Sequence, residues 1–524
     1  MGFLFVTLHR KTNKIILFTM FKNYIGYHLE EQRRNTKYLL REATRYKRLM
    51  KLIFCTIVMV LLWNLPSAFF GIPNLTVVEQ RTISVFCFAT LMWILEPVPA
   101  WNTSVTLIVI LLFCVSDSSL CYMHEGYSPE ALGTLLSHKK LMACFADPII
   151  MLFIGGFILA IAATKSGLDV KLARILLKPF GTKSENVLLG FLLVTGIFSM
   201  FLSNTATAAM MLTFLAPVLK SLPANGKGKI CLAMAIPIGA NIGGIGTPIG
   251  TPPNAIALKF LNDPEGMNMN IGFGQWMTYM FPLALVLLFI AWRVLLWMFP
   301  FTQKRIELQI EDKKERPLKQ WQEKLVYIVF VITILLWMTD KVSGINSNVV
   351  AMLPVAAFSL SGIITRIDLE EINWAVLWMV AGGFALGVAL QDTGLASHLI
   401  QIIPFSTWSP VLMIIGSGIL CYAMANFISH TATANLLIPI LAMAGMSAAA
   451  TLAPYGGVST LLIGVALGSS LAMVLPISTP PNALAHATGL IEQKHMIRVG
   501  LIMGVTGMLI GYIMLIVLGK AGLF

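Results

Sequence analysis

Charge is what this sequence has least of. Only 12% of its 524 residues are Asp, Glu, Lys or Arg, while 57% are hydrophobic and the mean hydropathy is +0.80. A soluble protein carries about twice that charged fraction, so a water-soluble globular fold is excluded. Cysteine pairing is missing too. The seven cysteines (55, 87, 114, 121, 144, 231 and 421) include no CxxC pair, and most fall in apolar runs. They read as small packing residues, which leaves no zinc or redox chemistry to expect. The alternating segments of about ten residues that mark a membrane β-barrel are absent. The stretch 1–20 lacks the unbroken apolar core and cleavage site of a signal peptide, and Met20 is an alternative start.

What is present instead is a series of long, continuously apolar runs. A run of roughly 17 residues or more is enough to span a bilayer core of ~30 Å. We expect an all-α polytopic membrane protein with eleven full crossings. They lie near 52–72, 82–98, 102–115, 147–165, 229–260, 275–300, 323–340, 347–363, 373–391, 455–488 and 497–520. Two more apolar stretches, 186–220 and 408–447, are interrupted by small and polar residues. They read as re-entrant hairpins.

The scarce charges are placed unevenly. Residues 1–51 hold 12 Lys or Arg against 3 acids. We read this as a basic cytoplasmic arm obeying the positive-inside rule, with 29–51 suited to lie on anionic lipid headgroups, and not as a nucleic-acid-binding tail. The basic segments 171–185, 303–324 and 492–498 then all fall inside, and 262–270, with no Lys or Arg, falls outside. The loop 116–146, with Lys139 and Lys140, fits less cleanly. The C-terminus falls outside. The expected divisions are the arm at 1–51, a first unit at 52–300, a basic linker at 301–322 and a second unit at 323–524.

The two units repeat. "FIGGFILAIAATKSGL" (153–168) resembles "VAGGFALGVALQDTGL" (380–395), and "SNTATAAMMLTFLAPV" (203–218) resembles "SHTATANLLIPILAMA" (429–444). "GTPPNAIAL" (250–258) resembles "STPPNALAH" (478–486). Starts at 153, 203 and 250 thus answer to starts at 380, 429 and 478, in one order and at a nearly constant offset. Five crossings per unit is an odd number, so the second copy is inverted. Inverted repeats with paired interruptions are the signature of a secondary transporter whose site lies at the midplane.

The interruptions carry the chemistry. Two prolines break a helix, and broken backbone in a membrane is tolerated only where it is buried in protein or lines a wet cavity. A half-helix N-terminus beside Thr251 or Thr479 suits a carboxylate, and the carbonyls of the other half suit a small cation. Asn254 and Asn482 are placed to hydrogen-bond the loose backbone. Ser203-Asn204-Thr205 and Ser429-His430-Thr431 add short polar side chains at the hairpin turns. Neither motif pair contains Asp, Glu, Lys or Arg. A bound dianion must be neutralised by helix ends and co-bound cations, which couples anion affinity to cation occupancy. Asp392 reads as an interface residue. An intramembrane hydrolase would need a nucleophile–base pair, and Ser429 beside His430 is too local to supply one. A sodium/proton antiporter is disfavoured by the paired proline breaks.

With these motifs the sequence resembles the divalent anion–sodium symporter family over roughly residues 80–522. The resemblance implies a homodimer in the plasma membrane, each protomer having a static scaffold and a mobile transport domain that moves as an elevator. It implies a sodium site made by Ser199, Ser203, Asn204 and the Gly250 carbonyl. A second sodium site is expected to mirror the first, but Ala425 and His430 depart from its pattern. The substrate contacts implied are Asn204, Thr205, Thr251, Pro252, Ser429, His430, Thr431, Thr479 and Pro480. His430 is either a neutral stand-in for an asparagine amide or an imidazolium replacing the second sodium's charge, since imidazole titrates near ~6.5. The expected function is secondary active transport of small dicarboxylates (succinate, malate, fumarate or 2-oxoglutarate), coupled to sodium through at least one site. The alternatives are a sodium-independent or proton-linked exchanger and a sulfate carrier on the same fold.

Overall fold

The computed structural model describes residues 46–220, 222–223, 226–264, 266–306, 318–402 and 408–522. Residues 1–45 of the basic arm and 307–317 of the basic linker lie outside the described residues. In chain order, α1 covers 46–64, α2 Val77–Leu95 and α3 Ala100–Cys114. α4 (Pro148–Ser166) and α5 (Leu168–Leu177) lead to a hairpin of α6 (Ser184–Phe201) and α7 (Asn204–Lys220). α8 (Lys227–Gly244) and α9 (Pro252–Leu261) flank the first break, and α10 (Phe273–Met298) follows. The second half runs through α11 (Gln320–Met338), α12 (Met352–Leu360), α13 (Trp374–Asp392) and α14 (Leu395–Ile402). Its hairpin is α15 (Ser417–Phe427) and α16 (His430–Ser447), its break lies between α17 (Gly457–Ser470) and α18 (Pro480–Ala487), and α19 (Gln493–Lys520) is last. Shorter turns are left unnumbered. Among the described residues, extended pairing is limited to two isolated bridges.

The outer faces of these helices are apolar. α19 turns Leu501, Val505, Leu509, Ile513 and Val517 outward at four-residue intervals, and α1 does the same with Leu49, Ile53, Ile57 and Leu61. In water such a stripe would be polar, so these faces belong against lipid. Seven helices among the described residues are long and apolar enough to cross a membrane, or eight if the bent pair His430–Ser447 and Ala449–Tyr455 is one span. Six of the seven coincide with expected crossings, and the seventh, Ser184–Phe201, falls in the stretch 186–220 expected as a re-entrant hairpin. Length and apolarity do not separate an 18-residue arm from a span. Of the other expected crossings, 52–72 corresponds to α1, and the rest correspond to shorter or interrupted helices.

Both hairpins turn in the same way. Leu202 and Ile428 are extended, with ψ of 159° and 164°. The next residue is a serine that caps the returning helix. Ser203 Oγ accepts from the Ala206 N–H at 3.2 Å, and Ser429 Oγ accepts from the Ala432 N–H at 3.2 Å. The half-helices α9 and α18 both begin on Pro-Pro, at positions where a helix needs no N–H.

The halves interlock. α9 packs on α16 and α17, while α18 packs on α7 and α8, so each break lies against the hairpin of the opposite half. α3 packs on α13, and α12 on α4. Asp392, at the end of α13, pairs with Lys140 at 3.3 Å, the interface role expected of it. α8 lies close along α6. A Cβ on Gly239 would sit 3.0 Å from the Leu192 carbonyl oxygen, and one on Gly243 would run into the Gly196 backbone. Gly243→Ala should therefore destabilise the fold by ~1–3 kcal/mol, because backbone cannot give way as a side chain does. Gly156→Ala is the control, since its Cβ meets only the Ile249 side-chain tip at 3.4 Å. Thermal unfolding of the two variants in detergent should lower the transition for Gly243→Ala alone.

Candidate substrate and sodium site

The breaks leave backbone carbonyls without helical partners, and two asparagines supply donors. Asn254 Nδ2 donates to the carbonyls of Gly244 (3.0 Å), Ile245 (3.3 Å) and Thr247 (2.8 Å). Asn482 Nδ2 donates to the carbonyls of Met473 (2.9 Å) and Leu475 (3.0 Å) and to Ser478 Oγ (3.4 Å). Both asparagines are buried. This is the backbone role expected from the sequence. Trp276 Nε1 adds a donor to the Ile245 carbonyl at 3.1 Å.

The free N–H groups lie elsewhere than expected. Proline occupies the first two positions of α9 and α18, so those positions have no N–H to offer a ligand. The third N–H is already used: Asn254 donates to the Thr251 carbonyl at 3.2 Å, and Asn482 to Thr479 Oγ1 at 3.3 Å. The hairpin helices differ. In α7 the third and fourth N–H groups go to Ser203, and in α16 to Ser429. The first two, on Asn204 and Thr205 and on His430 and Thr431, have no partner within their helices. Two N–H groups aligned with a helix dipole form an anion cradle. Each hairpin tip has one, next to a threonine hydroxyl. Thr251 is buried and its side chain makes no capping bond.

Of the four residues implied for sodium, Ser199, Asn204 and Gly250 bring neutral oxygens together around Gly244. Ser199 Oγ donates to Asn204 Oδ1 and, at 2.8 Å, to the Ala240 carbonyl. A Cβ on Gly244 would lie 2.8 Å from both terminal atoms of the Asn204 amide and 3.1 Å from the Gly250 carbonyl oxygen. Only glycine leaves this approach open. Hard neutral oxygens in such a cradle suit a small cation.

The second half is built differently at the matching place. Ala425 has no hydroxyl. His430 is buried, its Nε2 meets the Ala472 carbonyl at 2.6 Å, and its own carbonyl accepts from Ser469 Oγ at 2.9 Å. By the repeat offset Ala472 matches Gly244. The ring N–H therefore bonds to the second break at the position matching Gly244, while the position matching Gly250 is Ser478. Residues overlooked in the sequence complete this region. Asn426 Oδ1 accepts from the Val474 N–H at 2.9 Å. Asn241 Nδ2 donates to Asn482 Oδ1 at 3.0 Å, joining the two halves. A polar residue inside the apolar run "AIPIGANIGG" is the signal that could have marked Asn241.

The two tips also differ in exposure. Ser203, Asn204 and Thr205 are half-buried, while His430 and Thr431 are buried. Ser203 borders a cavity of 710 Å³ lined by α4 (Phe157, Ile161, Thr164) and α7 (Met210, Phe214). Asp169 and Glu371 also line it. At the second tip α16 packs directly on α13, and Asn435 Nδ2 donates to the Met379 carbonyl at 2.7 Å.

Paired helix breaks inside an apolar helical body, with capped hairpins against them, define a multi-pass membrane transporter. The chain matches the sodium:sulfate symporter transmembrane region over residues 46–522, and it belongs to that family. Among its relatives is the sodium-dependent dicarboxylate transporter SdcS of Staphylococcus aureus (strain USA300), 30% identical over 502 residues, covering 88% of this chain and 90% of the relative. The SdcS of Staphylococcus saprophyticus is 29% identical over 475 residues, covering 84% of this chain and 86% of the relative. These relatives are transporters, not enzymes. In fold the chain is similar to Neisseria gonorrhoeae MtrF, described as one of a class of antimetabolite efflux pumps, at a TM-score of 0.52 and 14% identity, over 80% of this chain and 94% of that one. It is also similar to the Alcanivorax borkumensis YdaH transporter, at a TM-score of 0.51 and 13% identity, over 84% and 98% of the two chains.

The break geometry is testable by stability alone. Asn254→Asp keeps the shape but turns a donor into an acceptor facing three carbonyls. It should cost at least ~2–3 kcal/mol, since each carbonyl left unpaired in a buried site costs about 1–3 kcal/mol. Thermal unfolding of purified protein reads this loss, and an unchanged transition would contradict the role given to Asn254.

Proposed function

We propose that the chain is a secondary active carrier of small dicarboxylates of the succinate, malate, fumarate and 2-oxoglutarate class, coupled to sodium through one site. The observation that carries this reading is the pair of hairpin tips. Each offers two helix N-terminal amides and a threonine hydroxyl, and neither holds an acidic or permanently cationic side chain. A diacid has a carboxylate for each tip, whereas a single sulfate would engage one cradle and leave the other empty. The printed function of the SdcS relatives supports the same substrate class.

In this reading Asn204, Thr205, Ser429, His430 and Thr431 hold the two carboxylates. Thr251, Pro252, Thr479 and Pro480 close the site from the breaks. One sodium, held by Ser199, Ser203, Asn204 and Gly250, offsets part of the dianion's charge and makes its binding depend on the ion. The second sodium is absent from the cycle because Ala425 lacks the hydroxyl that Ser199 supplies and His430 stands where the first tip has the Asn204 amide.

The chain crosses the membrane eleven times as two inverted units, with its N-terminus inside and C-terminus outside, and works as a homodimer in the plasma membrane. Transport is an elevator movement of the hairpins and broken helices against the remaining helices. The unequal surroundings of the tips support this. α16 is packed on α13, while its counterpart α7 faces α4 across the 710 Å³ cavity. Exchanging these two relations opens the other tip. The cavity at Ser203 then faces the cytoplasm.

Uptake of labelled succinate into vesicles, with and without an inward sodium gradient, tests the reading. Gradient-driven uptake is expected. Equal uptake in both conditions would make the chain a sodium-independent exchanger. Asn204→Ala should reduce apparent affinity ~10–150-fold, the equivalent of about 1.5–3 kcal/mol for a contact to an ion, while the protein still reaches the membrane. Wild-type uptake by that variant would rule out the first tip. Ala425→Ser combined with His430→Asn restores the second ligand set and should steepen the sodium dependence. A sodium curve identical to wild type would show that His430 does not replace a cation.

A further inference from the structure

Asn241 lies in the last turn of α8, just before the first break, and is 1% exposed. Its side-chain amide donates to Asn482 Oδ1 at 3.0 Å. Asn482 is the residue whose own amide gathers the carbonyls of the second break. One hydrogen bond thus ties the helix entering the first break to the centre of the second.

The clasp is made only once. The repeat register that matches Asn254 with Asn482 also matches Asn241 with Ser469. Ser469 Oγ donates to the His430 carbonyl at 2.9 Å and not to Asn254. Asn254 Oδ1 has no partner among the described residues. α8 is also the helix that lies against α6 of the first hairpin, while α18 packs on α7. Any sliding of α18 along α8 would move the second break relative to the first hairpin tip. Packing alone does not prevent sliding, because dispersion is not directional. A buried amide-to-amide hydrogen bond has a direction and a fixed length.

We propose that Asn241 is a specificity-determining positioning residue: by holding Asn482 it fixes the second break, and with it the second hairpin that His430 and Asn426 tie to that break, relative to the first hairpin tip, and so sets the tip-to-tip spacing and the length of diacid that the site accepts. The inference rests on the dicarboxylate reading above. Asn241 itself touches no substrate, and its loss should loosen the choice among diacids more than it lowers turnover.

The test uses the full chain in proteoliposomes, as wild type, Asn241→Ala and Asn241→Ser, with gel filtration reporting whether each variant folds. Either variant suffices if the other fails to fold, since neither side chain reaches Asn482 as an amide does. Succinate, glutarate and adipate, with four, five and six carbons, compete for uptake of labelled succinate. The ratio of apparent affinities for succinate and glutarate should shift at least threefold from wild type, with maximal rate changed less than that ratio. In ligand-free protein, amide hydrogen exchange across residues 473–478 should be about tenfold faster. An unchanged affinity ratio overturns the specificity role even where exchange is faster. Unchanged exchange overturns the clasp. If the wild-type chain carries no diacid, the functional reading fails, and the exchange measurement still decides whether Asn241 holds the second break.

Discussion

A helix broken inside a membrane leaves carbonyls that no water can satisfy, and the rest of this structure depends on how that need is met. Asn254 and Asn482 meet it with side-chain amides, each donating to several groups of its own break. The breaks can therefore stay buried and compact. Because they are compact, a hairpin tip can approach each one, and a glycine at 244 lets the Asn204 amide come close beside the Gly250 carbonyl. The prolines complete the arrangement. They start the half-helices without leaving unpaired N–H groups, and the available N–H groups are those of the hairpin tips.

The two halves share this plan and differ where ions are concerned. The first tip has the Ser199 hydroxyl, the Asn204 amide and an open side on the cavity. The second has Ala425, an imidazole fixed on the Ala472 carbonyl and a side packed against α13. A site of two equal halves would carry two cations. Here the second half has no hydroxyl at 425, and a ring N–H fixed on backbone stands where the first half has the Asn204 amide.

Much of this was legible in the sequence. Proline pairs and small polar residues inside apolar runs marked the breaks and hairpins, because few physical reasons permit them there. Asn254 and Asn482 could be assigned to the loose backbone for the same reason. The N–H donors were misplaced, because a helix start was counted as an anion cradle without subtracting the prolines that remove its donors. The Asn241–Asn482 contact was missed because its partners are 241 residues apart and lie on different halves, so no local pattern records it. Ser184–Phe201, expected as a hairpin arm, is as long and apolar as a span, and it ends in an abrupt turn at Leu202.

The central claim is that one diacid is held between two hairpin tips with a single sodium at the first. A structure of the chain determined with succinate and sodium tests it most directly. The account predicts one carboxylate on the N–H groups of Asn204 and Thr205 and the other on those of His430 and Thr431. It predicts one cation beside Ser199 and Asn204, with the Ala472 carbonyl still bonded to His430. Succinate bound away from either tip, or a second cation at the matching place beside Ala425 and His430, would contradict it.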